Sequence, residues 1–337
     1  MSNPAREHVV IFGHGRSGTT WLQALMNMSP DTHARNAIHQ ISGTPLAEWP
    51  KSVRPADEQA FLNAWRCAVD HASARVSELD PLPNRPKTFL RDWADYTRAY
   101  SHFMDKPLLR RMLSYFEPAF REHPLEFRPP RWLVRPRSFA TVTLVLKFVQ
   151  VPNWADQVLR KCPEARVVHI VRHPGGYLSS WARRWLAGQA ADQVREANRE
   201  RLEAVGHVHP DWAQRWGDPA AMSVEESELW YWRYAAEQIH GAGEGRDHYL
   251  PITFEALAAE PVEMTRRLYA FSGLPWRGEL EPRIKALCAD SERIANQWRD
   301  RLGDSDVALI DSILEDSPLR SWWTTGAATD MPATMSA

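Results

Sequence analysis

The sequence predicts an α/β fold in three layers, with helices on both faces of a central parallel sheet. Three observations carry this. Short apolar runs recur along the chain, helical patterns separate them, and the first run passes through a glycine-rich loop straight into a helix. Strands alternating with helices close right-handed βαβ units, and such units build a parallel sheet.

The elements follow in order. His8 to Phe12 (HVVIF) is mostly apolar, ends at a glycine and reads as a buried parallel strand. Between Thr19 and Met28 the apolar Trp21, Leu22, Leu25, Met26 and Met28 recur at helical spacing, and Pro30 follows. The next stretch, SPDTHARNAIHQ, carries no strand pattern. Residues 31–140 are mixed, rich in proline, with helical patterns near 57–79 and 92–117. A second strand is read over 141–147 (TVTLVLK), followed by a helix over 153–161. A third runs from Arg166 to Val171, then HPGG and a helix from about Tyr177. A fourth is His248 to Thr253, and helices are read at 223–240, 262–271 and 306–315. Residues 1–323 read as one domain, with 31–140 and 187–222 as helical capping insertions and 324–337 as a flexible tail.

Composition narrows the function classes. The chain has 337 residues, 44% hydrophobic and 25% charged, which excludes wholesale disorder. A net charge of -1 gives no global pull toward nucleic acid or anionic membrane, so any anion site is local. Six of the 41 basic residues are lysines and the rest arginines. Codon bias is the plain explanation, and bidentate anion contacts are the sharper one. RPPRWLVRPR (128–137) reads as a solvated loop, with an anion-facing patch as the second reading. Three widely spaced cysteines make neither a disulfide framework nor a zinc site, and fit a reducing compartment. The first residues lack a signal-peptide pattern and no apolar run nears the roughly 20 residues of a membrane span, so a soluble cytoplasmic protein is expected.

The loop Gly13-His14-Gly15-Arg16-Ser17-Gly18-Thr19-Thr20 fits two patterns. As G-x-G-x-x-G it matches a dinucleotide fingerprint, which requires a second strand ending in an acid about 20 residues on. Neither is read here. As a phosphate-binding P-loop it carries one change, with Thr19 in the lysine place and Thr20 in the hydroxyl place. Backbone amides and the helix N-terminus still wrap a phosphate, and Arg16 inside the loop supplies a cation. A plain strand–turn–helix corner leaves three glycines, an arginine and two hydroxyls without a purpose.

A second constellation is RVVHIVRHPGGYLSSW (166–181). Arg172 stands at the strand end and Ser180 eight residues later. The carboxyl edge of a parallel strand is where open α/β sheets bind ligands. Pro174 and two glycines are expected to turn the chain so that Ser180 aims back. Taken singly, Arg172 reads as a strand-end ion pair and Ser180 as a helix-start hydroxyl. Together they read as a second phosphate site, one charge-assisted bond and one neutral bond.

RSGTTWL (16–22) resembles the 5′-phosphosulfate loop of the PAPS-dependent sulfotransferases, and its arginine form is most similar to the bacterial, carbohydrate and tyrosyl-protein branch. Arg172 and Ser180 resemble that family's 3′-phosphate segment. FEAL (254–257), FSGLP (271–275) and NQWRDRL (296–302) resemble flanking segments more weakly, with Phe254 in place of the common tyrosine. The resemblance implies a P-loop-like α/β fold. It implies PAPS (3′-phosphoadenosine 5′-phosphosulfate) as co-substrate, with no metal. The implied reaction is in-line sulfuryl transfer to a hydroxyl, less often an amine, of a small-molecule or glycan acceptor: a sugar, lipid or natural product. Arg16, Ser17, Gly18, Thr19, Thr20 and Trp21 would hold the 5′ side, and Arg172 and Ser180 the 3′-phosphate. Lys147, ending its strand, would sit with Arg16 near the sulfate and leaving oxygen; a snorkelling strand-end lysine is the plain reading.

The base is less plain. Phenol-type members carry a histidine two residues after this lysine, where this chain has Val149 and then Gln150. Tyrosyl-protein members carry a glutamate about 20 residues after the loop's basic residue, where this chain has Asn36, Ala37 and His39. His39 is the first candidate and Glu48 the second, with His33, His102 and Asp92 behind them. Two other functions compete: a P-loop kinase of a small metabolite, against which Thr19 argues, and a non-catalytic nucleotide-binding module.

Overall fold

The computed structural model describes residues 8–36, 45–48, 57–77, 80, 86–95, 97–98, 126–185 and 191–324. The strands are β1 (His8–Gly13), β2 (Thr32–Asn36), the short β3 (Val76–Ser77) and β4 (Glu126–Phe127), then β5 (Thr143–Val149), β6 (Ala165–Val171) and β7 (Tyr249–Thr253). Five form one sheet in the order β2-β5-β1-β6-β7, every pairing parallel; β3 and β4 pair antiparallel apart from it.

Strand side chains alternate between faces, and the two faces build two cores. Val10, Phe12, Leu146 and Phe148 meet α2 (Glu58–Ala74), α4 (Pro152–Lys161) and α8 (Val224–Gly243) on one side. Val9, Ile11, Val145 and Ile170 meet α1 (Thr19–Met26), α10 (Pro261–Phe271) and α11 (Glu281–Leu287) on the other. The three layers expected from the sequence are therefore present. Local chemistry starts the helices where they start: Asp57 accepts from Ala60 N–H at 2.9 Å before α2, and Ser223 accepts from Glu226 N–H at 3.0 Å before α8.

The remaining helices are α3 (Pro136–Thr141), α5 (Pro174–Trp185), α6 (Ala191–Val208), α7 (Pro210–Trp216), α9 (Phe254–Ala259), α12 (Ser291–Asn296), α13 (Asp304–Leu314) and α14 (Ser321–Thr324). α6 and α7 fill most of the 187–222 insertion and pack their Leu202, Val205, Trp212 and Trp216 against Tyr231 and Tyr234 of α8. Arg128, Arg131, Arg135 and Arg137 are exposed, while Leu133 and Val134 between them are buried. Most of the 92–117 helical pattern and residues 325–337 lie outside the described residues. Among the described residues no helix is long and apolar enough to cross a membrane.

Two local readings need correction. THARN is a sheet strand, β2, although its composition hides it. Its buried charge is met by tertiary partners: Arg35 Nη1 donates to the Ala72 and Arg75 carbonyls at 3.0 and 2.7 Å, and Arg35 Nε pairs with Asp80 at 2.8 Å. The strand ends on Asn36, not on the acid that a dinucleotide fingerprint requires. Pro174, Gly175 and Gly176 do not precede a helix but form the first turn of α5. Proline is at home there, since its missing N–H would be unpaired anyway. The glycines admit close neighbours: a Cβ on Gly176 would lie 2.8 Å from Arg172 Nε.

The parallel register gathers the chemistry at one edge. Gly13 stands between Val149 and Ile170, and Lys147 between Ile11 and Asn36. The glycine loop, Arg172 and Phe254 leave the carboxyl ends of β1, β6 and β7; Lys147 does not end its strand as the sequence suggests but lies inside β5, which runs on to Val149. β1 has β5 on one side and β6 on the other, so connections diverge there and open a crevice.

Candidate active site

The loop after β1 is held in an unusual backbone path. Ser17 N–H donates to the His14 carbonyl at 3.2 Å, and Arg16 and Gly18 take φ of 68° and 91°. Gly18 caps α1 with no side chain on the first-turn amides, which leaves them for an anion. Only glycine fits this position, because φ is positive and a Cβ would lie 2.5 Å from Phe254 Cδ2.

Two distant stretches meet here. Arg172 Nη1 donates to the Arg16 carbonyl at 3.2 Å, and Arg16 Nε donates to Ser180 Oγ at 3.0 Å. Arg16 thus bridges the loop to the helix carrying Ser180. Arg172 Nη2 donates to the Ile294 carbonyl at 3.0 Å, and the guanidinium lies 4.4 Å from the Phe254 ring centroid. Its buried Nε has no hydrogen-bond partner among the described residues. Burial lowers its pKa to about 10, with Glu255 opposing and Arg16 adding to the fall.

Lys147 reaches the loop from β5. Its Nζ donates to Thr20 Oγ1 at 2.9 Å, and burial lowers its pKa to about 8. A cation from the neighbouring strand therefore stands beside a loop whose own lysine place is held by Thr19. Thr19 and Ser17 are buried; Thr20 and Arg16 are exposed.

A cavity of about 330 Å³ opens between these groups. Arg16 and Thr20 stand on its loop side, with Arg172 also on its wall, while Trp21 and Phe254, with ring centroids 5.2 Å apart, supply aromatic surface. α11 and α12 close it with Leu287, Ser291 and Ile294. This wall has no counterpart in the sequence reading. Phe254 was visible only through the weak FEAL match.

A further layer fixes the turn after β6. Glu255 Oε1 accepts from His173 N–H at 3.1 Å, and Oε2 accepts from Trp323 Nε1 at 3.2 Å. Burial raises this carboxyl's pKa. The His173 ring stacks on Trp298 with centroids 4.4 Å apart, which accounts for the tryptophan in NQWRDRL.

The base candidates separate. His39 and His102 lie outside the described residues, as does the side chain of Glu48. His33 stands beside Leu144, at the far end of β5 from Lys147, buried against Phe89 and Phe139. Asp92 is exposed and accepts from the amides of Ala94 and Asp95 at 2.8 and 3.1 Å, which hold its pKa low. Neither adjoins Lys147.

A family model described as the sulfotransferase family matches residues 8–278. The chain belongs to the sulfotransferase family. Its glycine loop and its parallel sheet with helices on both faces make up that family's P-loop-like α/β fold. This sulfotransferase is similar to several solved structures. The sulfotransferase domain of the Synechococcus PCC 7002 olefin synthase is 14% identical, with 94% of this chain and 99% of that chain covered and a TM-score of 0.40. The Alicyclobacillus acidocaldarius sulfotransferase is 16% identical, with 91% and 100% covered and a TM-score of 0.37. Mouse sulfotransferase SULT7A1, complexed with PAP, is 11% identical, with 97% and 89% covered and a TM-score of 0.44. No curated protein matches the chain.

Proposed function

We propose that this sulfotransferase moves the sulfuryl group of PAPS to an acceptor hydroxyl, less often an amine, on a sugar, lipid or natural product. One observation carries the reading. The glycine loop and Arg172, both suited to anions, border one aromatic-walled cavity, and hydrogen bonds tie the loop to Arg172 and, through Arg16, to Ser180. That is the donor set a bisphosphorylated adenosine requires. The uncapped amides of α1 and the orphaned Arg172 Nε fit phosphate oxygens, and Trp21 with Phe254 fits a purine.

Each residue then has a task. Ser17, Gly18, Thr19 and Thr20 line the 5′-phosphate with loop amides and hydroxyls, and Trp21 walls the base. Arg172 and Ser180 hold the 3′-phosphate. Arg16 Nε engages Ser180, so its Nη groups serve the 5′ side. Lys147 supplies the cation at the leaving oxygen that the loop lacks. Loose in-line transfer needs little more than position and charge neutralisation. The acceptor proton requires a base, and His39, ahead of Glu48, is the residue proposed for it. Residues 1–323 act as one domain in this reading, with 31–140 and 187–222 capping the acceptor, in a cytoplasmic setting without nucleic acid or membrane partners.

Calorimetry tests the reading. Adenosine 3′,5′-bisphosphate should bind without Mg²⁺ and more tightly than ATP, and label from PAPS should appear on a hydroxylated acceptor in a panel. Tighter, Mg²⁺-dependent ATP binding would instead establish the kinase. Bisphosphate binding with no transfer to any acceptor would establish the non-catalytic module.

A further inference from the structure

A carboxylate lies buried behind the two phosphate constellations. Glu228 of α8 is 1% exposed, and it does not line the nucleotide cavity. Three segments converge on it. Tyr177 of α5 donates its hydroxyl to Oε1. Arg201 of α6 donates Nη2 to Oε2 at 2.7 Å. His14 of the glycine loop places Nε2 4.0 Å from Oε1.

The surroundings hold this group in one arrangement. The Arg201 guanidinium lies 3.7 Å from the Tyr231 ring centroid and also donates to Asn198 Oδ1 at 2.9 Å. The His14 ring packs edge-on against Tyr177 and Tyr231, with centroids 4.7 and 5.7 Å away. Burial, partly offset by Glu228, brings the His14 pKa down to about 4, so the contact with Glu228 at neutral pH is packing and dipole rather than an ion pair. Burial alone would raise the Glu228 pKa; Arg201 and the Tyr177 hydroxyl outweigh it and keep the carboxylate charged.

A buried carboxylate is a poor way to gain stability, since an apolar replacement of similar size often does as well. Its placement has a different consequence. His14 is two residues from Arg16, and Tyr177 is one helical turn from Ser180. Glu228 therefore touches the loop site through one and the second site through the other. A ligand with two phosphates gains over a ligand with one only if both sites can be engaged at once. We propose that Glu228 is a positioning residue that sets the span between the loop site and the Arg172–Ser180 site, with Arg201 as the strut that orients its carboxylate. This rests on the bisphosphate reading above. It also makes the cap helix α6 part of the nucleotide site's support.

The test uses the full chain and two probes, adenosine 3′,5′-bisphosphate and adenosine 5′-phosphate, with dissociation constants from calorimetry and a thermal melt. Glu228→Gln keeps the size of the side chain and an oxygen for Tyr177 but drops the charge. Arg201→Met, at a partly exposed position, serves if Glu228→Gln does not fold. The expected result is a roughly tenfold loss of the bisphosphate's advantage over the monophosphate, with monophosphate affinity nearly unchanged. Arg201→Lys should restore part of it. Equal loss for both nucleotides, or a lowered melting temperature with the advantage intact, would reduce Glu228 to a structural role and overturn the proposal. A wild-type protein with no bisphosphate advantage would overturn the bisphosphate reading itself.

Discussion

Under the proposed function, Lys147 is a titration probe for the nucleotide site. Burial takes its ammonium from 10.5 to about 8, which corresponds to about 3 kcal/mol against the charged form. Its Nζ donates to Thr20, which lines the cavity, and in the proposed reading a bound phosphate there supplies a counter-charge that no hydrogen bond or ion pair among the described residues provides. A phosphate there lifts the pKa back toward 10.5. Binding then takes up protons: about 0.5 per site at pH 8, and about 0.1 at pH 7. Affinity for adenosine 3′,5′-bisphosphate accordingly falls roughly tenfold between pH 7 and pH 9. Calorimetry in two buffers of different ionisation heat measures both quantities. Lys147→Ala should abolish the proton uptake and flatten the profile, and Lys147→Arg, charged throughout, should bind with a flat profile. No proton uptake by the wild type at pH 8, or an unchanged profile in Lys147→Ala, would refute the argument. The free protein's stability has its own sign. The folded pKa lies below the unfolded one, so the burial penalty is present in full below about pH 8 and is relieved as pH rises from 8 toward 10.5.

Three further outcomes are expected. Arg172→Ala should weaken adenosine 3′,5′-bisphosphate far more than adenosine 5′-phosphate in the same titration, and equal weakening would remove it from the second site. Phe254→Ala strips both the aromatic wall and the ring under Arg172, so nucleotide affinity should drop by about 1–3 kcal/mol in calorimetry; unchanged affinity would show that the base lies elsewhere. Arg35→Ala leaves Asp80 and the carbonyls of Ala72 and Arg75 without their cation. Denaturant unfolding should show a loss of about 3–5 kcal/mol, and a negligible loss would mean β2 is held by its backbone pairing alone.

Contiguity explains what was legible in the chain. The glycine loop and the Arg172–Ser180 stretch each lie within one strand–turn–helix unit, so spacing alone displays them. The apolar runs of β1, β5 and β6 report burial on both faces because every residue of such strands meets a helix layer. β2 was illegible for the opposite reason: its Arg35 is buried only because Asp80 and two carbonyls at the end of α2 come to meet it. The first turn of α5 was misread because Pro-Gly-Gly has the composition of a turn, and only the closeness of Arg172 and Trp298 explains why glycines open a helix.

The amino-acid order by itself therefore determined which segments are proposed for phosphate and that they end parallel strands. Tertiary structure decided which of them meet. Lys147 finds Thr20 across 127 positions, Arg172 finds Arg16 across 156, and Glu228 joins three segments that share no local pattern. Periodicity reports the surroundings of a single element, whereas these partnerships exist only once sheet order and helix packing have brought remote residues together.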